Sequence, residues 1–342
     1  MKNKNLKILL ALSITSACNL KCFYCRAAGE SLDNSLGTIK YDVLKDIIIS
    51  AFDNGIKNYR ITGGEPTIAP YFGELIEFIM KLAPDTIVRI TTNGYKIKDY
   101  IDIIEKYKER IEVVISVDSP TEKIGNIKYD KYLSENIIDI TNQLLKKKIK
   151  IRYNIVVTKE NISQVPELIS KSLDLGVNLK LLDLIKHDSY FGKESQNEAN
   201  IFFNSSYQSI NDIKEYLKSI TDRYQENFSM LVSTGIPMSG YFKGEQYIQV
   251  KDSNSGSTFS EKCVKECPFF NTCQEGMFGP FISNNGVLSI SNCRNKKLRW
   301  DLANMNKEQK DNSFKEIIEL FSNTKIYNNF EYTKNSTDEK IS

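Results

Sequence analysis

The chain has little of several features that would assign a protein to a common class. It contains a single histidine, His187, and no apolar run near the length of about 20 residues that a membrane-spanning helix needs. An excess of one charge is also missing, because 46 basic residues stand against 43 acidic residues, which gives a net charge of +3. We therefore expect no membrane partner and no nucleic-acid partner.

Cysteine is absent between Cys25 and Cys263, although the chain has seven cysteines. They form two tight groups, at positions 18, 22 and 25 and at positions 263, 267, 273 and 293. An odd number of closely grouped cysteines is a poor disulfide framework, but it is typical of metal sites. The cysteines therefore predict two metal sites and a reducing compartment, the cytoplasm.

The first eighteen residues allow two interpretations of Cys18. Lysines at positions 2, 4 and 7, the apolar residues 8–14 and the small residues 15–17 could form an export signal before a lipid-carrying cysteine. The same residues could form a buried strand that leads into a metal loop. Thr15 stands where such a signal prefers a branched aliphatic residue, so we favour the strand and expect Cys18 to bind metal.

Short β-branched runs alternate with helical patterns from residue 6 to about residue 185. Six such units in series predict an α/β fold whose parallel strands are joined by right-handed helical crossovers. Near-continuous apolar strands predict a sheet covered on both faces, as in a barrel or a doubly wound sheet. The expected strands span residues 6–15, 58–64, 86–94, 111–118, 150–158 and 178–185.

Small polar residues or glycines follow the first four expected strands. In a β/α barrel the carboxyl ends of the strands meet at one mouth, where catalytic residues collect. The sequence therefore predicts a single site built from residues 16–18, 62–66, 91–94 and 116–118.

The pattern divides the chain into residues 1–186, 187–262, 263–322 and 323–342. We expect the second segment to be irregular and to shape the substrate site, with one helix near residues 209–223. The third contains the second cysteine group, a hairpin turn at Asn285-Gly286 and a last helix near residues 306–322. The fourth is a polar tail, whose residues 328–342 we expect to be disordered.

Cys18, Cys22 and Cys25 form a CxxxCxxC loop after the first expected strand. Three thiolates in so short a loop can hold a four-iron, four-sulfur cluster, which normally takes four cysteines, so one iron would lack a protein ligand. No fourth cysteine is near in sequence, and His187 lies far away. A structural zinc site needs four ligands, so the pattern favours an open, reactive site over a zinc site or a ferredoxin-like electron carrier.

The loop and a second motif together resemble the radical S-adenosylmethionine superfamily. Phe23-Tyr24 precedes the last cysteine of the loop, and the second expected strand leads into RITGGEP at residues 60–66. The resemblance implies a [4Fe-4S] cluster with three cysteine ligands, whose open iron binds the amino and carboxylate groups of S-adenosylmethionine. The glycines would let the ligand approach the backbone, and a carboxylate would hold its ammonium group. The motif residues concerned are Gly63, Gly64, Glu65 and Pro66.

The same resemblance implies roles for residues at other strand ends. Tyr24 would help to hold the adenine, and Thr92 and Asn93 would approach the ribose or the substrate. Ser116 would meet the methionine carboxylate, and Ile185 would pack on the adenine. A structural role is the alternative for each, because Thr and Ser at strand ends often bond only to backbone and Ile185 could belong to the core.

The second cysteine group has the pattern Cx3Cx5Cx19C. Four cysteines suffice to close a four-iron cluster completely, and a zinc site with four cysteine ligands is the alternative. A group of this kind after a barrel resembles the Twitch or SPASM extensions, which carry auxiliary clusters. The expected auxiliary [4Fe-4S] ligands are Cys263, Cys267, Cys273 and Cys293.

The barrel motifs are most similar to those of the GTP 3′,8-cyclase family of molybdenum-cofactor synthesis. This chain departs from that family at Ala11, where the family has an arginine, and in CQEGMFGPFIS, which lacks the family's arginines. Arg60 and Arg152 resemble nucleotide-contacting residues and could pair with a substrate carboxylate or phosphate. Two cations do not make a triphosphate site, so the cyclase remains an alternative.

These observations predict a partial (β/α)6 TIM-type barrel with a C-terminal cysteine-rich extension. The implied activity is reductive cleavage of S-adenosylmethionine to a 5′-deoxyadenosyl radical, which abstracts hydrogen from a peptide or small-molecule substrate. An external flavodoxin or ferredoxin would supply the electron. With 17 residues before Cys18, we expect no amino-terminal peptide-recognition domain. A non-enzymatic iron–sulfur electron carrier is the alternative from another class.

Overall fold

A computed structural model of the chain describes residues 8–25, 32, 35–186, 195–228, 237–274, 276–291, 293 and 295–327. Within these ranges, twelve strands form one sheet and two further pairs of short strands lie beside it. His187 and the expected disordered end, residues 328–342, lie outside the described residues.

The strands are numbered in chain order. They are β1 (Leu9–Ser13), β2 (Asn58–Thr62), β3 (Ile87–Thr92), β4 (Ile111–Ser116), β5 (Lys123–Ile124), β6 (Ile127–Lys128), β7 (Lys150–Val157), β8 (Asn178–Asp183), β9 (Arg223–Gln225), β10 (Met238–Lys243), β11 (Gln246–Lys251), β12 (Ser257–Ser260), β13 (Phe281–Ile282), β14 (Val287–Ser289), β15 (Arg299–Asp301) and β16 (Thr324–Tyr327).

The helices follow the apolar periodicity of the sequence. They are α1 (Tyr41–Asp53), α2 (Phe72–Leu82), α3 (Ile101–Lys106), α4 (Glu135–Lys146), α5 (Val165–Asp174), α6 (Gln196–Ser206), α7 (Asn211–Ile220), α8 (Glu261–Glu266) and α9 (Lys307–Ser322). The helix expected near residues 209–223 is α7, and the last expected helix is α9.

The six expected strands are confirmed as the parallel centre of the sheet. β1, β2, β3, β4, β7 and β8 lie side by side in this order, and each is parallel to the next. Helices α1 to α5 connect them, as right-handed crossovers require. The described sheet runs from β15 at one edge to β9 at the other, so it forms a partial rather than a closed barrel.

The apolar run before Cys18 is the central strand β1, which lies between β13 and β2. Its Leu10 and Leu12 are fully buried in the main hydrophobic core. The interpretation of these residues as a strand leading into the cysteine loop is therefore confirmed.

The parallel strands are apolar on one face only. Alternate side chains such as Leu10, Tyr59 and Ile115 belong to the main hydrophobic core. Successive side chains on a strand point to opposite faces, so the residues between them form the other face, called here the inner face. The inner face carries charged residues, and the expectation of near-continuous apolar strands is wrong in this respect. Its charged members on β2, β3, β4 and β7 are Arg60, Arg89, Glu112, Arg152 and, at the exposed start of β7, Lys150.

The segment 187–262 is more regular than expected. After α6 and α7, strands β9, β10 and β11 extend the sheet, and β11 pairs in parallel with β8. Gly244, at φ +57°, forms the turn between β10 and β11 with Glu245. The expectation of an irregular segment is therefore wrong for residues 196–206, 223–225 and 238–260, whereas the helix expected near residues 209–223 is present as α7.

The C-terminal extension also joins the sheet. β13 pairs in parallel with β1, and β14 and β15 continue the sheet in antiparallel order. The expected hairpin is confirmed, because Asn285 and Gly286 lie in the loop between β13 and β14. The polar tail is partly ordered, since β16 pairs with β12. Among the described residues, no helix is long and apolar enough to cross a membrane.

Asp183 ties the end of β8 to the chain that follows β11. Its Oδ2 accepts hydrogen bonds from the Ser253 amide, at 2.7 Å, and from the Ser253 hydroxyl. Its Oδ1 has no partner in the described part of the chain. Burial raises the pKa of Asp183 to about 6, although the Ser253 hydrogen bonds oppose the shift. The folded chain therefore favours the protonated acid.

We predict that Asp183→Asn stabilises the protein at pH 8. A pKa raised by folding gives stability that is present below pH 4 and is lost as pH rises through about 6. The variant keeps an acceptor for Ser253 and carries no charge, so it should exceed the wild type by about 2 to 3 kcal/mol at pH 8. The difference should shrink towards pH 4 in urea unfolding curves.

The matched control for this prediction is Asp174→Asn at the exposed end of α5. This variant should show no comparable pH-dependent gain. A gain of Asp183→Asn that is the same at pH 4 and pH 8 would contradict the assignment to a buried, titrating carboxyl.

Candidate functional site

The candidate site begins at the cysteine loop, residues 16–25, which follows the carboxyl end of β1. Cys18 is exposed, Cys22 is buried and Cys25 is partly buried. Burial raises the pKa of Cys22 to about 12, and the nearby charges of Asp118 and Cys25 add to the effect, while Lys131 opposes it. Burial also raises the pKa of Cys18. As free thiols these groups stay protonated, and binding to a metal would deprotonate them.

The cysteine loop is held against β2 by its own backbone. The Gly64 amide donates to the Thr15 carbonyl at 2.7 Å, and the Glu65 amide donates to the Ala17 carbonyl at 2.8 Å. A Cβ on Gly63, which has φ +150°, would lie 2.4 Å from the Thr15 oxygen, and a Cβ on Gly64 would lie 2.2 Å from the Ala17 oxygen. The two glycines therefore admit the backbone of the cysteine loop, whereas the sequence analysis expected them to admit a ligand.

The Glu65 side chain is a buried centre of hydrogen bonds, with 1% of its surface exposed. Its Oε1 accepts from the Thr67 amide at 3.2 Å, the Thr67 hydroxyl at 2.5 Å and the Thr92 hydroxyl at 2.6 Å. Its Oε2 accepts from the Asn93 amide at 2.6 Å. A carboxylate accepts about four hydrogen bonds, about two on each oxygen, so the protein donors fill Oε1, leave room at Oε2 and tie β2 to β3.

Asn93 connects the end of β3 to the cysteine loop. Its Nδ2 donates to Asn19 Oδ1 at 2.8 Å and lies 4.0 Å from Cys18 Sγ. Thr92, which donates to Glu65, also accepts from the Gly94 amide at 3.1 Å. Both residues thus have structural contacts within the described chain, beside any contact with a ligand.

Tyr24 joins the cysteine loop to two residues that the sequence did not single out. Its hydroxyl donates to Asp118 Oδ2 and accepts from Lys131 Nζ at 3.1 Å. Asp118 Oδ1 accepts from the Val156 amide at 2.8 Å, so the contact reaches β7. Asp118 stood in one of the expected strand ends, but nothing in the sequence marks Lys131, which is 107 residues from Tyr24.

The charges around Tyr24 depend on one another. Burial raises the pKa of Tyr24, and the Asp118 charge raises it further. Burial lowers the pKa of Lys131, but the negative charges of Cys22, Tyr24 and Asp118 outweigh it and raise the pKa well above its usual value. Lys131 is therefore a positive charge held next to the cysteine loop.

The remaining residues expected at the mouth lie near the carboxyl ends of their strands. Ser116 is half-buried at the end of β4, opposite Asn154 of β7. Ile185 is half-buried, two residues beyond β8. Pro66 is buried and begins a single 3₁₀ turn over Pro66–Ile68. Their positions agree with a common mouth, and their contacts with a ligand remain predictions.

Arg60 and Arg152 lie deeper, on the inner face of the sheet. Arg60 of β2 is opposite Ala11 of β1 and Arg89 of β3. Arg152 of β7 is buried, and its Nη1 lies 3.9 Å from Glu112 Oε1. Glu112 Oε2 also accepts from Arg89 Nε at 2.5 Å. The two arginines are therefore part of a larger charged set.

The second cysteine group gathers where the extension meets the sheet. Cys263 lies in α8, Cys267 follows that helix, Cys273 follows a short 3₁₀ turn and Cys293 follows β14. Burial raises the pKa of Cys293 to about 12, and charges on the other three cysteines add to the effect. The four sulfurs are therefore within electrostatic reach of one another.

The donor sets fit iron–sulfur clusters by their chemistry. Thiolates are the ligands of such clusters, with three available in the cysteine loop and four in the extension. In the part of the chain that the structure describes, no three Cys, His, Asp or Glu residues form a group that could hold a metal ion. The ligand assignments consequently rest on residue type and proximity.

One family model matches part of the chain. The family model described as the radical SAM superfamily matches residues 12–171, which contain the cysteine loop and the GGEP segment. A GTP 3′,8-cyclase of Nautilia profundicola is 26% identical over 184 residues, which cover 52% of this chain and 57% of that protein. The chain therefore spans little more than half the length of this relative.

Solved structures share the fold. SuiB of Streptococcus suis bound to S-adenosylmethionine matches with a TM-score of 0.59 and 16% identity, covering 88% of this chain and 64% of that chain. Native anSMEcpe with bound AdoMet matches with a TM-score of 0.52 and 18% identity, covering 90% of this chain and 82% of that chain. At these identities the likeness concerns the fold alone, and it agrees with the expected partial barrel.

We predict that Gly64→Ala displaces the cysteine loop. The new Cβ would lie 2.5 Å from the Ser16 oxygen as well as 2.2 Å from the Ala17 oxygen, so backbone must move. We expect a loss of about 2 to 3 kcal/mol in the free energy of unfolding and reduced iron binding after anaerobic reconstitution.

Gly73→Ala in α2 is the matched control, because its Cβ would approach nothing closer than 3.6 Å, on the Tyr100 ring. An alanine in a helix should leave stability unchanged or raise it slightly. Thermal unfolding and iron analysis of both variants test the idea, and it fails if the two variants behave alike.

Proposed function

We propose that this chain is a radical S-adenosylmethionine enzyme, because its residues 12–171 match the family model of the radical SAM superfamily. Cys18, Cys22 and Cys25 would hold a [4Fe-4S] cluster with one iron free of protein ligands. The observation that carries the proposal is the joining of a three-cysteine loop to the GGEP segment by backbone hydrogen bonds. The substrate is a peptide or protein side chain, or a small molecule.

The cluster, when bound and reduced, would supply the electron that cleaves S-adenosylmethionine to methionine and a 5′-deoxyadenosyl radical, which takes hydrogen from the substrate. The chain's own residues would bind and orient the cofactor and exclude water. The Oε2 atom of Glu65 retains capacity to accept from the cofactor's ammonium group.

Further residues at the mouth would contact the cofactor. Tyr24 would face the adenine from the cysteine loop, Ser116 would meet the carboxylate and Ile185 would pack on the adenine. Thr92 and Asn93 would act mainly by fixing Glu65 and Asn19. Gly63, Gly64 and Pro66 would shape the backbone around the methionine part.

We propose a second, auxiliary [4Fe-4S] cluster bound by Cys263, Cys267, Cys273 and Cys293, as in Twitch and SPASM extensions. The support is the electrostatic contact among these cysteines, of which Cys263 is buried and the other three are partly buried. With four cysteine ligands, every iron of the cluster would be bound by the protein and none could bind substrate. We therefore propose that the cluster transfers electrons or stabilises the fold. A four-cysteine zinc site is the alternative.

The similarity to a GTP 3′,8-cyclase supports a nucleotide substrate as the second candidate. The inner face offers Arg60 and Arg152, but the arginine that this family has on its first strand is Ala11 here, opposite Arg60. The cyclase activity is therefore a weaker candidate than a radical S-adenosylmethionine activity on another substrate. A non-enzymatic electron carrier ranks lower still.

The proposal requires an electron from outside the chain. We propose a flavodoxin or ferredoxin as the donor and the cytoplasm as the compartment. Exposure of Cys18 at the mouth would give such a donor, and oxygen, access to the first cluster. The enzyme should accordingly be sensitive to oxygen.

We predict that the reconstituted protein binds about eight irons per chain, as two four-iron clusters require. Anaerobic incubation with dithionite and S-adenosylmethionine should then release 5′-deoxyadenosine. Cys18→Ala should abolish the nucleoside and remove about four irons. Intact nucleoside production in this variant, or zinc in place of iron in the wild type, would end the proposal.

Cys273→Ala separates the two cysteine groups. We expect it to lose about four irons and one of two electron paramagnetic resonance signals while 5′-deoxyadenosine release continues. Zinc lost in place of iron would assign a structural zinc site to the extension, and an unchanged metal content would remove Cys273 from the ligand set.

A further inference from the structure

Cations crowd one part of the inner face. Lys180 of β8 and Lys251 of β11 follow the same alternation as Arg152 of β7, because Asn178 lies opposite Arg152 and Gln249 lies opposite Lys180. These three cations are all deeply buried, with exposed fractions of 3% for Arg152, 7% for Lys180 and 5% for Lys251. Buried charges are normally paired with opposite charges.

The two lysines converge on one aromatic ring. Lys180 Nζ lies 5.5 Å from the centroid of the Phe278 ring, and Lys251 Nζ lies 4.7 Å from the same centroid. Contacts of this kind stabilise a cation only modestly compared with the cost of removing its charge from water. Both ammonium groups therefore lie against the same ring, whose contact alone does not offset the cost of burying Lys180.

Few carboxyl groups lie near Lys180, although Asp183 is within electrostatic reach of Lys251. Within the described ranges, the Lys180 side chain makes no hydrogen bond or ion pair, and Glu112 is shared by Arg89 and Arg152. Burial lowers the pKa of Lys180 well below its usual value, and the charges of Arg152 and Lys251 lower it further. Burial and repulsion by neighbouring cations therefore both disfavour the charged form of Lys180.

Unpartnered polar atoms lie beside Lys180. Asn154 is opposite Lys180 in the sheet, and its Oδ1 is buried without a hydrogen-bond partner among the described residues. Arg152 Nε is also buried without a partner there. A donor and an acceptor left open next to buried cations are the features of a polar binding site.

We propose that the inner face of β7, β8 and β11 binds an oxyanion, the carboxylate or phosphate of a small-molecule substrate, through Lys180, Lys251 and Arg152. Asn154 would accept a hydrogen bond from a hydroxyl or amino group next to that anion. Identification of the ligand as the substrate rests on the proposed function, whereas the binding of an anion does not.

The position of these residues fits a substrate that reaches from the interior to the mouth. Lys180 lies three residues before the end of β8, whereas the cysteine loop follows the end of β1. An anion bound at Lys180 would thus lie below the mouth, and the rest of the molecule would extend towards Ser116 and the cysteine loop.

The test is the thermal unfolding of the full chain in phosphate, in succinate and in chloride at equal ionic strength. We expect one of the two oxyanions, or both, to raise the unfolding midpoint by about 3 °C over chloride at saturating concentration. A gain with phosphate alone or with succinate alone assigns the anion to that class. The absence of any gain over chloride would overturn the proposal.

Lys180→Met distinguishes a binding site from a structural cation. Removal of an uncompensated buried charge should raise the unfolding midpoint in the absence of added anion. The apparent affinity for the oxyanion, read from how the midpoint depends on its concentration, should fall at least tenfold. Lys180→Arg, which keeps the charge, should retain anion binding. Lys243→Met at the exposed end of β10 is the matched control and should change neither quantity.

A Lys180→Met variant that is less stable than the wild type and still responds to the oxyanion would contradict the assignment. The measurements require no cleavage of S-adenosylmethionine. Anion binding without nucleoside release would therefore refute the proposed function alone, and nucleoside release without anion binding would refute this inference alone.

Discussion

The close approach of two backbone segments is the constraint on which the site depends. Residues 15–17 pass so near Gly63 and Gly64 that either position excludes a Cβ atom. Main-chain hydrogen bonds therefore fix the cysteine loop to β2, and Glu65 extends the connection to β3 through Thr92 and Asn93. The positions of the three cysteines thus follow from the packing of parallel strands, with little dependence on the rest of the loop.

A second consequence concerns the distribution of charge. The helix-facing side of the sheet is a continuous apolar core, which can stabilise the fold without help from the inner face. The inner face is consequently able to hold Lys180, Arg152 and Glu112 at a cost that a small core could not offset. Asp183, whose pKa burial raises to about 6, is a further cost of the same kind at the end of β8. Stability lost at such positions is common at functional sites.

The sequence predicted the central strands and helices because their periodicity is local and strong. It also located the mouth, since the carboxyl ends of parallel strands must meet. It failed for β10 and β11, although Gly244-Glu245 between two alternating runs is a two-residue hairpin signal. It could not pair Tyr24 with Asp118 and Lys131, because contacts across 94 and 107 residues depend on the register of the whole sheet. For the same reason, the sequence did not reveal the hydrogen bonds that the Glu65 side chain accepts.

The charged groups at the mouth and the cations below it would orient the proposed substrate in the barrel. Near the mouth lie the thiols of the cysteine loop, and the buried carboxyl groups of Glu65 and Asp118 are accompanied there by the positive charge of Lys131. Below it lie the cations around Lys180. A molecule whose anionic end is held by these cations would present its other end to the cysteine loop. The site would thereby select which carbon–hydrogen bond meets the radical by fixing the far end of the substrate, with no contact needed at the reacting carbon itself.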